Sequence, residues 1–73
     1  MVYVLVRHIF DNACDRQYDD FLGVFVDAEG AKADAAVDSL AFLAWYPTAR
    51  MHTWQANDEY ERPRYIVIGL VPQ

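Results

Sequence analysis

The sequence predicts an α+β domain: a four-stranded, mainly antiparallel sheet with one helix packed on one face, in the order β-β-α-β-β. Three observations predict it. VYVLVRHIF and RYIVIGLV, toward the two ends of the chain, are β-branched and aromatic almost throughout, which is the composition of strands. AEGAKADAAVDSL, between them, is rich in alanine and follows an aspartate, the composition of a capped helix. With 73 residues, 55% of them hydrophobic and 15% aromatic, the chain reads as one globular domain over 1–73.

Residues 2–10 form the first strand. Val2, Val4 and Val6 belong to one face, and Tyr3, Leu5, Arg7 and Ile9 to the other. DNACDRQYDD at 11–20 reads as a polar connection, longer than the usual hairpin loop, and FLGVFVD at 21–27 as the second strand. Asp27 closes that strand and can cap the following helix by accepting a bond from a free amide. Glu29 adds negative charge near the positive helix end, while Gly30 weakens the first turn.

At a helical period Ala33, Ala36, Val37, Leu40 and Ala44 line one face, with Leu43 at its edge. Such small residues let a helix lie close on a sheet. Pro47 disfavours helical geometry at Tyr46, so the helix is expected to stop by about Trp45. Two arrangements remain open for FLAWYP. Either the helix ends early and the segment folds back as a plug, or Phe42, Trp45 and Tyr46 are presented outward. ARMHTWQA at 49–56 reads as the third strand, ANDEYERP as a turn, and RYIVIGLV at 64–71 as the fourth strand. The link from second strand through helix to third is the one plausible crossover, right-handed if those strands are parallel.

Both faces of the sheet are apolar. Val2, Val4, Val6, Ile66, Ile68 and Leu70 make one set; Tyr3, Leu5, Tyr65, Val67 and Val71 make the other. One helix covers one set, so the other is expected to be a contact surface.

The net charge of −5 is unevenly spread. Residues 1–10 carry only Arg7. Residues 11–38 hold eight acids against Arg16 and Lys32, a balance of −6, and residues 39–73 are neutral. A negative half repels phosphate backbones and argues against direct nucleic-acid binding. Tyr3, Tyr65, Phe21 and Phe25 could stack bases on an open sheet, but such readers surround their aromatics with basic residues. Here the one positive cluster in sequence is Arg50, Arg62 and Arg64, so the aromatics read as core or interface.

Catalytic and metal patterns are missing from the sequence. A calcium loop starting at Asp11 would have Ala13 third, no glycine sixth and Leu22 twelfth, and it fails. The two histidines and the single cysteine have none of the spacings of structural zinc sites. Acids around Cys14 disfavour its thiolate, Ser39 lies within the helix, and no glycine-rich phosphate loop is present. Asp19 with Asp20 and Asp58 with Glu59 are adjacent carboxylates on expected loops, without a cleft to perturb them. The expectation is a non-enzyme with no cofactor and no metal. One cysteine, no signal-peptide pattern and no long apolar run make the cytoplasm the expected compartment.

VYVL, LGVFVDAEGAKADAAVDSL and RYIVIGLV together resemble a group of small uncharacterised phage and bacterial proteins. Those proteins share an opening strand, a polar loop, a strand ending in GVF, an acid-capped alanine-rich helix and a closing apolar strand. The resemblance spans roughly two thirds of the chain, FLAWYPTARMHTW departs from it, and it implies a fold without catalytic residues. In size and acidity the chain also resembles, by type, the anti-CRISPR and host-takeover proteins of phages. That likeness implies a phage or mobile-element inhibitor that blocks a basic surface of a nucleic-acid-handling host protein. Asp11, Asp15, Asp19, Asp20, Glu29 and Asp34 are the expected contacts. The alternative is a homodimeric structural or accessory module, joined through the uncovered sheet face or through Phe42, Trp45 and Tyr46.

Overall fold

The computed structural model describes residues 1–11, 13, 16–58 and 62–71; Cys14, Asp15 and the side chain of Asp11 lie outside it. Its elements are β1 (Val2–Asp11), β2 (Arg16–Phe25), α1 (Ala28–Ser39), β3 (Trp45–Pro47), β4 (Thr53–Asn57) and β5 (Pro63–Leu70). The class is α+β as expected, but the sheet has five strands rather than four, in the order β2-β1-β5-β4-β3. Every neighbouring pair is antiparallel. The additional strand is β3, only three residues long and ending in a proline. Its outer edge has no neighbour, which is where a sheet tolerates proline.

The expected long loop over 11–20 is mostly strand. β1 and β2 pair from Tyr3↔Phe25 to Asp11↔Arg16, so Asp19 and Asp20 lie within β2. The aspartates signal a turn in sequence, yet Asp20 stands opposite Arg7 and Asp19 opposite His8. Opposed pairs of this kind support a ladder. The register shifts between Leu5 and Val6, where Leu22 is the extra residue of a bulge.

Asp27 caps α1 as expected: its backbone is extended, and its Oδ1 accepts a 2.6 Å bond from the Gly30 amide. The helix stops at Ser39, earlier than Trp45. Leu40 adopts a left-handed conformation (φ 57°), and its N–H bonds back to Val37 O at 3.3 Å. Ser39 Oγ accepts from the Ala41 amide at 3.2 Å. The early stop frees 45–47 to reach the far edge of the sheet and pair with β4.

The buried face of α1 differs from the expected stripe. Ala31 and Ala35 are fully buried and Ala28 packs beside them, whereas Val37 is 72% and Leu40 90% exposed. Alanines bring the helix axis closest to a sheet whose own side chains are large, so Ala28, Ala31 and Ala35 take the contact. The wholly buried core is Leu5, Ala31, Ala35, Ala56, Tyr65 and Val67, bordered by Tyr3, Leu22, Phe25, Leu43, Trp45 and Trp54. Of the two apolar sets, α1 therefore covers Tyr3, Leu5, Tyr65 and Val67.

β2 and β3 run the same way but lie at opposite edges, so the α1 crossover spans the sheet instead of joining neighbouring parallel strands. Residues 49–52, expected in a strand, form a turn closed by Thr48 N–H to Thr53 O at 3.0 Å. His52 there has φ 54°, and its carbonyl accepts from the Gly69 amide at 2.7 Å. A Cβ on Gly69 would stand 2.6 Å from His52 Cβ, so this approach requires glycine.

Candidate functional site

Side chains directly opposite in an antiparallel sheet share a face, so the registers map the surface α1 leaves open. One row across it is Val24, Val4, Ile68 and Thr53. The next is Phe21, Val6, Ile66, Gln55 and Tyr46. Val2 and Leu70 extend the apolar area at one end. Phe21 is 65% and Val24 56% exposed, while Val4, Val6, Ile66 and Ile68 are half-buried among their neighbours. At the other end the rows turn polar. His8 Nδ1 meets Asp19 Oδ1 at 2.5 Å and Gln17 Nε2 at 2.8 Å.

The expected acidic contacts do not gather on one surface. Asp19 stands on the open face, engaged with His8. Asp20 stands on the helix side, where Arg7 Nη2 donates to its Oδ2 at 2.7 Å. Glu29 and Asp34 are exposed on α1, with Lys32 Nζ 3.6 Å from Glu29 Oε1. Asp15 and the Asp11 side chain lie outside the described residues. The three aromatics also separate. Phe42 is 97% exposed, Trp45 packs against the core, and Tyr46 joins the open face. Of the two arrangements open for FLAWYP, the early helix end holds, but of its aromatics only Trp45 tucks in, beside Leu43.

Lys32 lies over both tryptophans, its Nζ 4.6 Å from the Trp54 ring centre and 6.0 Å from that of Trp45. That cation–π stack ties α1 to the β3–β4 edge.

A polar cluster that the sequence did not suggest holds the end of α1 to the sheet. Arg7 Nη1 donates to Asp38 Oδ1 and Oδ2 at 3.0 and 2.9 Å, and Tyr65 Oη donates to Asp38 Oδ2 at 2.6 Å. The Tyr65 bond, and then Arg7, hold the Asp38 carboxyl below the usual aspartate range. Burial, and then the bond to Asp38, push the Tyr65 hydroxyl above its ordinary value. The sequence signal was parity: Arg7 shares the helix-side face with Leu5, where a charge needs a partner.

A cleft of about 720 Å³ opens where the β1–β2 hairpin overhangs β5. β1 pairs with β5 only as far as Arg7↔Tyr65; two positions on, Ile9 would face Pro63, which has no N–H to give. Arg7, Arg62 and Arg64 line the cleft with Ile9, Phe10 and Asp58. Arg7 and Arg62 are already ion-paired, and Arg62 and Arg64 lie over the Phe10 and Tyr65 rings. Its cations are thus committed within the fold.

Among the described residues, no group of three His, Cys, Asp or Glu side chains could hold a metal ion. No described helix is long and apolar enough to cross a membrane. Comparison with family models, with curated proteins and with solved structures gives no match, so the site stands on its own geometry.

Proposed function

We propose that the protein is a non-enzymatic binding module that recognises another protein through the open face of its sheet. The carrying observation is the pair of apolar cross-strand rows through Val4 and Ile68 and through Val6 and Ile66. Among the described residues, no element lies over them. Continuous apolar surface of this kind marks interaction sites, and its core here is free of charge. Beneath the helix Leu5, Tyr65 and Val67 are consumed by the core, while Val37, Leu40 and Phe42 stand exposed on and just after α1.

A separate observation favours a second role. Glu29 and Asp34 stand exposed on α1 within the segment 11–38, which carries eight acids against two basic residues. They suit a basic surface of a nucleic-acid-handling protein, the target expected of a phage or mobile-element inhibitor. Asp19 and Asp20 weaken that role, because each is engaged with a basic side chain of its own chain.

Affinity capture from cell extract with three baits separates the two. Proteins held by the wild type and lost with Phe21→Lys/Val24→Lys support the open face. Proteins lost only with Glu29→Lys/Asp34→Lys support the acidic surface. Retention by both variants contradicts both.

A further inference from the structure

We infer that the occupant of the open face is a second copy of this chain, giving a sandwich of two sheets with the helices outside. This rests on the open face being the recognition surface, and it adds the identity of the partner.

Area supports it first. The molecule exposes 5174 Å², against about 4,600 Å² expected for a compact monomer of its mass. Phe21 and Val24 on the uncovered face are among the strongly exposed apolar residues. Strands about 4.8 Å apart and rising about 3.3 Å per residue make the apolar rows a patch of roughly 500 Å². Two such patches bury about 1,000 Å² together, the size at which an interface can be biological but belongs to the weak, transient class.

Shape and charge point the same way. Identical sheets carry identical twist and pack aligned at about −30°, with their inner faces interdigitating about 10 Å apart. The rows present valine, isoleucine and phenylalanine at the centre and place His8, Asp19 and Gln17 at one end. Two copies of net charge −5 can meet there without burying a charge in the middle. The outer edge of β2 is a poorer route to a dimer. Its ladder is interrupted by the bulge at Leu22, and Arg16, Asp19 and Asp20 lie along it.

Light scattering and sedimentation over a concentration series test this. The substitutions Phe21→Lys and Val24→Lys fall on exposed positions, so the fold is expected to survive them, and circular dichroism checks that. Val37→Lys adds the same charge on the outward side of α1, and Phe42→Ser removes the most exposed aromatic. The expected result is a mass approaching twice 8.4 kDa at high micromolar concentration. Phe21→Lys or Val24→Lys is expected to weaken the dimer about tenfold or more, as a lysine must then be buried. Val37→Lys and Phe42→Ser are expected to leave it within about twofold, as surface changes outside the interface do. A dimer broken by Val37→Lys or Phe42→Ser instead overturns the proposal. A monomer whose face binds the neutral dye Nile red, with binding lost in Phe21→Lys, overturns the second copy and leaves the open face as a site for another protein. A monomer that binds no dye overturns both.

Discussion

Tyr65, wholly buried in β5, donates a 2.6 Å hydrogen bond to Asp38 in the last turn of α1. Asp38 also receives both bonds from Arg7 Nη1, and Arg7 Nη2 reaches Asp20. One guanidinium and one phenol thereby join β1, β2, β5 and the helix. Ala28, Ala31 and Ala35 let the helix lie close, but alanines give little grip. The polar cluster sets where its C-terminal end rests.

Tyr65→Phe removes the hydroxyl and keeps the ring. Asp38 retains Arg7, so the loss is expected to be about 1 kcal/mol, the scale of one hydrogen bond. Urea unfolding measures it. An unchanged midpoint would show that the bond does not contribute to holding α1.

Stability is expected to depend on pH through the same pair. Asp38 titrates lower in the fold than in the unfolded chain, so its contribution is present above about pH 3.9 and lost as pH falls through the folded value. Tyr65 titrates higher in the fold, so its contribution is present below about pH 10 and lost as pH rises. A plateau therefore separates an acid and an alkaline decline. Asp38→Asn is expected to lower the plateau and flatten the acid limb in urea titrations at several pH values. An acid limb as steep as wild type would assign the effect to other carboxylates.

Gly69→Ala places a methyl 2.6 Å from His52 Cβ and 2.8 Å from its carbonyl oxygen. The crowding is expected to cost about 1–3 kcal/mol. His52→Gly removes one obstacle and relieves a non-glycine residue at φ 54°, so the double variant is expected to recover part of the loss. Chemical denaturation of the four forms supplies the cycle. Strict additivity would mean that the two residues do not meet.

Lys32→Ala deletes the cation above Trp54 and Trp45, with an expected cost of about 1 kcal/mol and a changed tryptophan emission. Lys32→Arg is expected to restore both. An emission spectrum unchanged in Lys32→Ala would contradict the stack.

Much of this architecture was legible in residue order. β1 and β5 announced themselves by β-branched runs, and Asp27 marked the start of α1. The two apolar parities of the sheet foretold that one face would stay open. Local patterns misled where tertiary contacts decided the outcome. The stripe through Val37 and Leu40 has helical spacing, yet closeness to the sheet favoured the smaller Ala31 and Ala35. Asp19 and Asp20 look like turn residues until Arg7 and His8 stand opposite them. Trp45–Pro47 is too short to carry an alternating pattern, and its pairing with β4 is settled by the sheet edge. The union of Arg7, Asp38 and Tyr65 spans most of the chain, so no local window contains it.

The open face is tested most directly by paramagnetic relaxation from a neutral soluble probe, read at the methyls of Val4, Val6, Ile66 and Ile68 across a dilution series. At low micromolar concentration these methyls are expected to broaden strongly. At high micromolar concentration they are expected to be shielded, while Val37 and Leu40 broaden equally throughout. Shielding at every concentration would mean that the face is already covered within the monomer. Strong broadening at every concentration would mean that no second copy covers it.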